Sequence, residues 1–196
     1  MKKTSRSDSR EPARPGCFAA LAMTMCLLWL SIPARAQDAP SEPDTYRISD
    51  YREPTPLTLK GARVVTTAEA HELWLAKAAF VDVLPQAPRP ANLPAATLWR
   101  DKPRQDIPGS LWLPDTGYGQ LPTMTEDYLE SGLEKASGGD KAKPLVIYCL
   151  ASCWMSWNAA RRAMSYGYAA VIWYPDGTDG WAAAGFAVED RKPEPR

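Results

Sequence analysis

The residues best suited to chemistry in this 196-residue chain are Cys149 and Cys153, in the run Val146-Ile147-Tyr148-Cys149-Leu150-Ala151-Ser152-Cys153-Trp154. An apolar strand that ends on a cysteine, followed by a short loop and a helix, makes a reactive thiol. With the helix starting at Ser156 or Trp157, the N–H groups of residues 150–156 curl around the Cys149 sulfur and the positive helix end faces it. Both effects favour the thiolate, which is the nucleophile. Cys153 has two readings: a resolving thiol that closes a disulfide across the loop, or a small apolar residue that pins it. A regular helix holds Cβ atoms at this spacing ~5–6 Å apart, so a disulfide needs the loop. Leu150, Ala151, Ser152, Trp154, Met155, Ser156 and Trp157 are then the candidate substrate- or partner-binding residues, with Trp154 and Trp157 lining an apolar mouth.

Other chemistries find less support. His71 is the only histidine and sits early on an amphipathic helix, as a surface or structural residue; a hydrolase triad would have to depend on it. Two thiolates and His71 offer soft ligands for copper or zinc, but nothing in their spacing requires a metal, and the expectation is none. Covalent haem needs a histidine directly after the second cysteine, where Trp154 stands, so no cofactor is expected. Asp176 and Asp179 read as turn formers.

Cys17 and Cys26 fall in residues 1–36, which read as a secretory signal. Lys2, Lys3, Arg6, Arg10 and Arg14 precede an apolar stretch over residues 17–32, and Ala34-Arg35-Ala36 supplies a cleavage point. The stretch is shorter than the ~20 residues of a spanning helix. The mature chain is therefore expected in a bacterial periplasm, away from the membrane, where disulfides form and persist. Of 23 basic and 23 acidic residues the leader holds six and two, leaving 17 and 21. That balance provides no basic field for nucleic acid.

Positioning the thiols requires an α/β domain. Residues 37–57 are rich in proline, serine and acids and read as a flexible N-terminal arm that need not pack, as does the tail over 191–196. Between them, over 58–190, short strands are expected at 62–65, 79–83, 110–113, 145–148 and 171–174. Helices alternate with them: from a Thr66/Glu69 capping box to about 78, from Thr125 to about 136, from Ser156 or Trp157 to Gly167, and over 180–184. Residues 84–105, with five prolines, form a long loop of the kind that covers a site. Alternation of this kind builds a mainly parallel central sheet flanked by helices in a single domain, with its site at the carboxyl ends of the strands. Cys149 is at such an end.

These residues resemble the rhodanese family. The resemblance rests on Asp82-Val83, Asp106-Ile107-Pro108-Gly109-Ser110, Val146-Ile147-Tyr148-Cys149, Ala159-Ala160, Gly167-Tyr168 and the run from Gly180-Trp181 to Val188-Glu189. It implies a rhodanese-like fold, a persulfide carried on Cys149, and structural places for Asp82, Gly109, Gly167 and Trp181. The run from Tyr148 to Ala160 is similar to exported rhodanese-like proteins with a Cys-x-x-Cys-Trp motif, associated with pyrroloquinoline-quinone (PQQ)-dependent alcohol oxidation. That similarity implies an accessory role beside a periplasmic quinoprotein dehydrogenase or cytochrome c system, with a small sulfur donor or thiol as second partner. The sequence departs from the family in three ways. The spacing is Cys-x-x-x-Cys-Trp, no arginine or glycine lies between Cys149 and Ser156, and Leu84 stands where an arginine follows Asp-Val. An arginine-poor pocket recognises thiosulfate weakly. Sulfurtransferase or thiol-disulfide oxidoreductase chemistry, a non-catalytic binding module with a structural disulfide, and a copper carrier are the functions compatible with this reading.

Overall fold

Short apolar runs separated by polar turns set the architecture. The computed structural model describes residues 39–100 and 102–196, so the predicted leader lies outside the described residues. In chain order the elements are β1 (Arg63–Val64), α1 (Thr67–Leu75), β2 (Ala79–Asp82), β3 (Arg104–Asp106), β4 (Leu111–Trp112), α2 (Thr123–Ser137), β5 (Leu145–Tyr148), α3 (Trp154–Ser165), β6 (Val171–Tyr174), α4 (Gly177–Ala183) and β7 (Glu189–Arg191). Five strands form one parallel sheet in the order β1-β6-β5-β2-β4. The described residues form the single α/β domain expected of the sequence, with the site-bearing strand β5 at the centre.

Every residue of β5 and β6 is buried, because helices cover both faces of the sheet. Side chains alternate across it. Val81, Ile147, Cys149 and Trp173 face α2 and α3, with Leu129, Leu133, Trp157 and Ala160. Phe80, Val146, Tyr148, Ile172 and Tyr174 face the other side, with Ala70 and Trp181. Each fully buried side chain of this size contributes ~1.5–3 kcal/mol. The Thr66/Glu69 capping box forms as expected and starts α1.

Several elements differ from the sequence expectation. Helix α1 ends at Leu75 rather than near residue 78, with Lys77 at φ +62 turning the chain into β2. Helix α3 begins at Trp154, two or three residues early, with Cys153 as its N-cap residue. Helix α4 begins at Gly177 rather than Gly180. The long loop gives way at Arg104 to β3, which pairs antiparallel with β7; both strands are charged and three residues long, so no apolar pattern announced them.

The arm and tail carry little regular structure but are packed against the domain. Asn158 holds the arm twice, accepting from the Arg47 N–H and donating to the Arg47 carbonyl, each at 2.9 Å. Arg161 donates to the Pro43 and Asp44 carbonyls, and Glu42 accepts from the Lys60 N–H. In the tail, the Tyr128 hydroxyl donates to the Glu194 carbonyl, and the Glu194 N–H to Trp112. These bonds use main-chain groups, which composition does not reveal.

Candidate functional site

The last residue of β5 delivers Cys149, and three residues of loop bring the chain to Cys153 at the start of α3. The loop is shaped by Ser152 at φ +50, by the Ala151 N–H donating to Asp179, and by a bridge between Leu150 and Gly177. Gly177 is required there. A Cβ on it would lie 2.3 Å from the Cys149 carbonyl oxygen, and its φ is +52. Asp179, expected only to form a turn, therefore holds the thiol loop.

The fold brings the two sulfurs together at 2.6 Å. Both residues are unpaired cysteines and both are buried, Cys149 at 0% exposure and Cys153 at 2%. The separation exceeds the ~2.05 Å of a disulfide bond. Their electrostatics diverge. Burial pushes the Cys149 thiol well above its ordinary range, and its hydrogen bond with Cys153 adds to the rise. Cys153 is held down to about 6, chiefly by the Cys149 thiol donating to it. Burial opposes that shift, while the N–H groups of Met155 and Leu150 and the charge of Arg52 support it. The thiolate is thus favoured on Cys153 rather than on Cys149, chiefly through the burial of Cys149 and its hydrogen bond with Cys153, with the N–H groups at the helix start adding to it.

The remaining predicted site residues are placed as follows. Trp157 lines no open mouth and its indole donates to the Thr58 carbonyl; Trp154, its ring 5.5 Å away, is also buried but borders a surface groove with Arg47, Asp50 and Glu53. Arg47 lies over the Trp154 ring at 5.2 Å. Ser156 is a tie inside the core, donating to the Cys153 carbonyl and accepting from the Trp173 indole. Met155 is buried, while Leu150, Ala151 and Ser152 are half-buried. Ser152 lines a cleft of about 500 Å³ whose other walls include Pro54, Thr55, Leu57 and Val65. The Trp154 N–H, first of α3, donates to the Tyr51 carbonyl at 3.0 Å, so the arm is tied to the start of α3 next to Cys153. His71 stacks on Phe186 at 3.9 Å, beside Trp181, in the aromatic cluster of the other sheet face. Trp181 is buried, Gly109 donates to Glu189, and Gly167 follows α3 at φ +89.

Sequence reasoning missed the charged groups below the loop. Arg104 reaches Asp82 from 22 residues away, with Nε 2.6 Å from the carboxylate, and donates to the Thr178 hydroxyl at 2.9 Å. The Thr178 N–H in turn donates to the Cys149 carbonyl. Arg104 comes from the end of the long loop, so no local motif signals this pairing. Arg162 is 3% exposed and donates to the Tyr118 and Gly119 carbonyls. Beside Asp82, Asp106 accepts from the Tyr148 hydroxyl at 2.5 Å, and its other oxygen has no partner among the described residues.

Burial, then the neighbouring Asp106, raises the Asp82 carboxyl to about 7 against the pull of Arg104. Between pH ~4 and about 7 the folded chain therefore holds a proton that the unfolded chain releases, and stability declines as pH rises through that window. Asp82→Asn, which mimics the protonated carboxyl, should remove this slope. Urea denaturation of both proteins from pH 4 to 8 checks it: the advantage of the wild type over the variant shrinks as pH rises.

Solved structures of similar fold include a polysulfide-sulfur transferase homodimer from Wolinella succinogenes, 18% identical over 67% of this chain and 81% of that one (TM-score 0.42). An uncharacterized protein from Saccharomyces cerevisiae is 22% identical over 63% and 93% (TM-score 0.38). A 3-mercaptopyruvate sulfotransferase from Escherichia coli is 21% identical over 64% and 44% (TM-score 0.37). No curated protein matches the chain at a significant level. Residues 66–184, which span β2 through β6 and both cysteines, match the rhodanese-like domain, and the chain belongs to that family.

Proposed function

We propose that this is an exported rhodanese-like protein whose Cys149 and Cys153 perform dithiol–disulfide exchange as an accessory to PQQ-dependent alcohol oxidation. The observation that supports the chemistry is the 2.6 Å contact between two thiols of opposite electrostatic bias. The Cys153 thiolate attacks a disulfide of a partner, and the partner's first sulfur leaves as a thiolate. Cys149 then loses its proton to solvent or to that thiolate and attacks the Cys153 sulfur. The partner's second sulfur departs, the pair is oxidised to a disulfide, and the partner gains two electrons. The periplasmic setting and a quinoprotein dehydrogenase or cytochrome c partner rest on the leader and on the motif from Tyr148 to Ala160.

A second reading, persulfide transfer from a small sulfur donor, is favoured by the place of Cys149 at the end of β5. The deep burial and raised thiol of Cys149, in a loop without arginine, weigh against it. Equilibration in glutathione buffers of graded ratio, followed by acid quenching and alkylation, separates the two. Exchange predicts two interconverting species that differ by two alkylatable thiols. Two thiols that stay alkylatable at every ratio would sink it.

A further inference from the structure

We propose that Asp179 decides which sulfur chemistry the thiol loop performs: by holding the Ala151 N–H it withholds a donor from the Cys149 sulfur and confines the pair to disulfides. The role rests on the reading of the pair as an exchange dithiol. Helix α4 meets the loop residue by residue. The Thr178 N–H donates to the Cys149 carbonyl at 3.1 Å, Gly177 bridges Leu150, and the Asp179 carboxylate accepts from the Ala151 N–H at 3.1 Å. Thr178 is itself fixed from behind, its hydroxyl accepting from Arg104 at 2.9 Å. The loop peptides are thereby held from the α4 side, and Ser152 at φ +50 returns the chain to Cys153.

A buried cysteine that carries an extra sulfur atom as an anionic persulfide needs N–H groups converging on it, because a buried anion without donors is costly. The Cys149 sulfur receives the Leu150 N–H, which it shares with Cys153, while the Met155 N–H serves Cys153. Two further donors of the run leave the sulfurs: the Trp154 N–H goes to the Tyr51 carbonyl and the Ala151 N–H to Asp179. Trp154 is the first helical residue, so its N–H needs an outside partner whichever chemistry the loop performs. Ala151 lies in the loop itself, two residues after Cys149, and there a side chain fixes the direction of the donor. An N–H points one way, so a donor given to a carboxylate is lost to the sulfur. Asp179 is exposed, and no buried group calls for an acid at that position. A disulfide is neutral and has no need of the missing donor, whereas a charged persulfide on Cys149 does. The class of substrate taken is therefore a disulfide of the partner, and sulfane-sulfur donors such as thiosulfate are turned away.

Single-turnover sulfur transfer from inorganic thiosulfate tests this in the Cys153→Ser background, where no second thiol removes the product. Cys149 gives its proton to solvent and attacks the outer sulfur of thiosulfate. The S–S bond of thiosulfate breaks, sulfite leaves with the bonding electron pair, and Cys149 keeps one added sulfur. Sulfite release and the mass of the Cys149 peptide report the step. Asp179→Asn removes the charge but keeps an oxygen for the Ala151 N–H, whereas Asp179→Ala removes both, so the ratio of their rates isolates the held donor. Asp179→Ala should form the persulfide roughly tenfold faster than Asp179→Asn, the effect of one hydrogen bond to an anion. An acid that only supports the fold would change Tm and leave that ratio at one. Thermal melting checks that the variants stay folded, and Asp179→Leu, which also lacks an acceptor, replaces the alanine variant if that one does not fold. Equal rates in the two variants, or no persulfide in either, overturn the role of Asp179 and leave the exchange reading in place. Wild-type thiols that stay alkylatable at every glutathione ratio overturn the exchange reading itself, whatever the ratio between the variants.

Discussion

Replacing Cys153 by serine should slow alkylation by iodoacetamide at pH 7 about a hundredfold. A thiol held down to about 6 is mostly thiolate at that pH, whereas burial keeps the Cys149 thiol well above its ordinary range and protonated. Both cysteines are buried to a similar degree, so the difference reports ionisation. The reciprocal variant separates the causes. Cys149→Ala removes the donated hydrogen bond that is the largest influence on Cys153, so the remaining thiol should titrate upward from about 6 towards the ordinary range near ~8.5. The helix-end N–H groups stay in place and keep part of the shift. A rate–pH profile of each variant, with the modified residue identified by peptide mass, checks both. Equal slowing in the two variants would contradict the assignment of the thiolate to Cys153.

Asn158→Ala should destabilise the protein by about 3 kcal/mol, or ~6–12 °C in Tm for a chain of this size. Asn158 is fully buried and makes three hydrogen bonds, two to the Arg47 main chain and one to the Gly117 carbonyl at 3.0 Å. Alanine leaves one N–H and two carbonyls without partners in a site too tight for easy resolvation. The same change releases the middle of the arm, so alkylation of Cys153 should quicken about tenfold if ~1.4 kcal/mol of the loss falls on the arm. Arg161→Gln, on a half-buried residue that grips only the start of the arm, should give faster alkylation with little loss of Tm. Loss of stability without faster alkylation in either variant would show that the arm does not guard the thiols.

How much of this was legible in the sequence follows from which groups carry each feature. Strands β2, β5 and β6 are continuous apolar runs between polar turns, and the Thr66/Glu69 pair is a local signal, so fold class and the place of Cys149 could be read directly. The start of α3 could not. Cys153 makes no side-chain capping bond, and the first helical N–H is satisfied by the Tyr51 carbonyl, 103 positions earlier in sequence. The earlier start brings the N–H groups of the first turn to Cys153, where they add to its hydrogen bond with Cys149 in favouring the thiolate. The arm looked dispensable because proline, serine and acids bury little, yet its carbonyls are what Asn158 and Arg161 bind. Arg104 was hidden for a similar reason, since a guanidinium supplied across a long loop leaves no spacing to recognise.

The measurement that tests the central claim most directly is the intact mass of the protein as isolated from cells, before and after reduction. Dithiol–disulfide exchange between Cys149 and Cys153 predicts a deficit of two hydrogens that reduction restores. A reducible gain of one sulfur atom on Cys149, with Cys153 free, would contradict it and return the site to persulfide transfer.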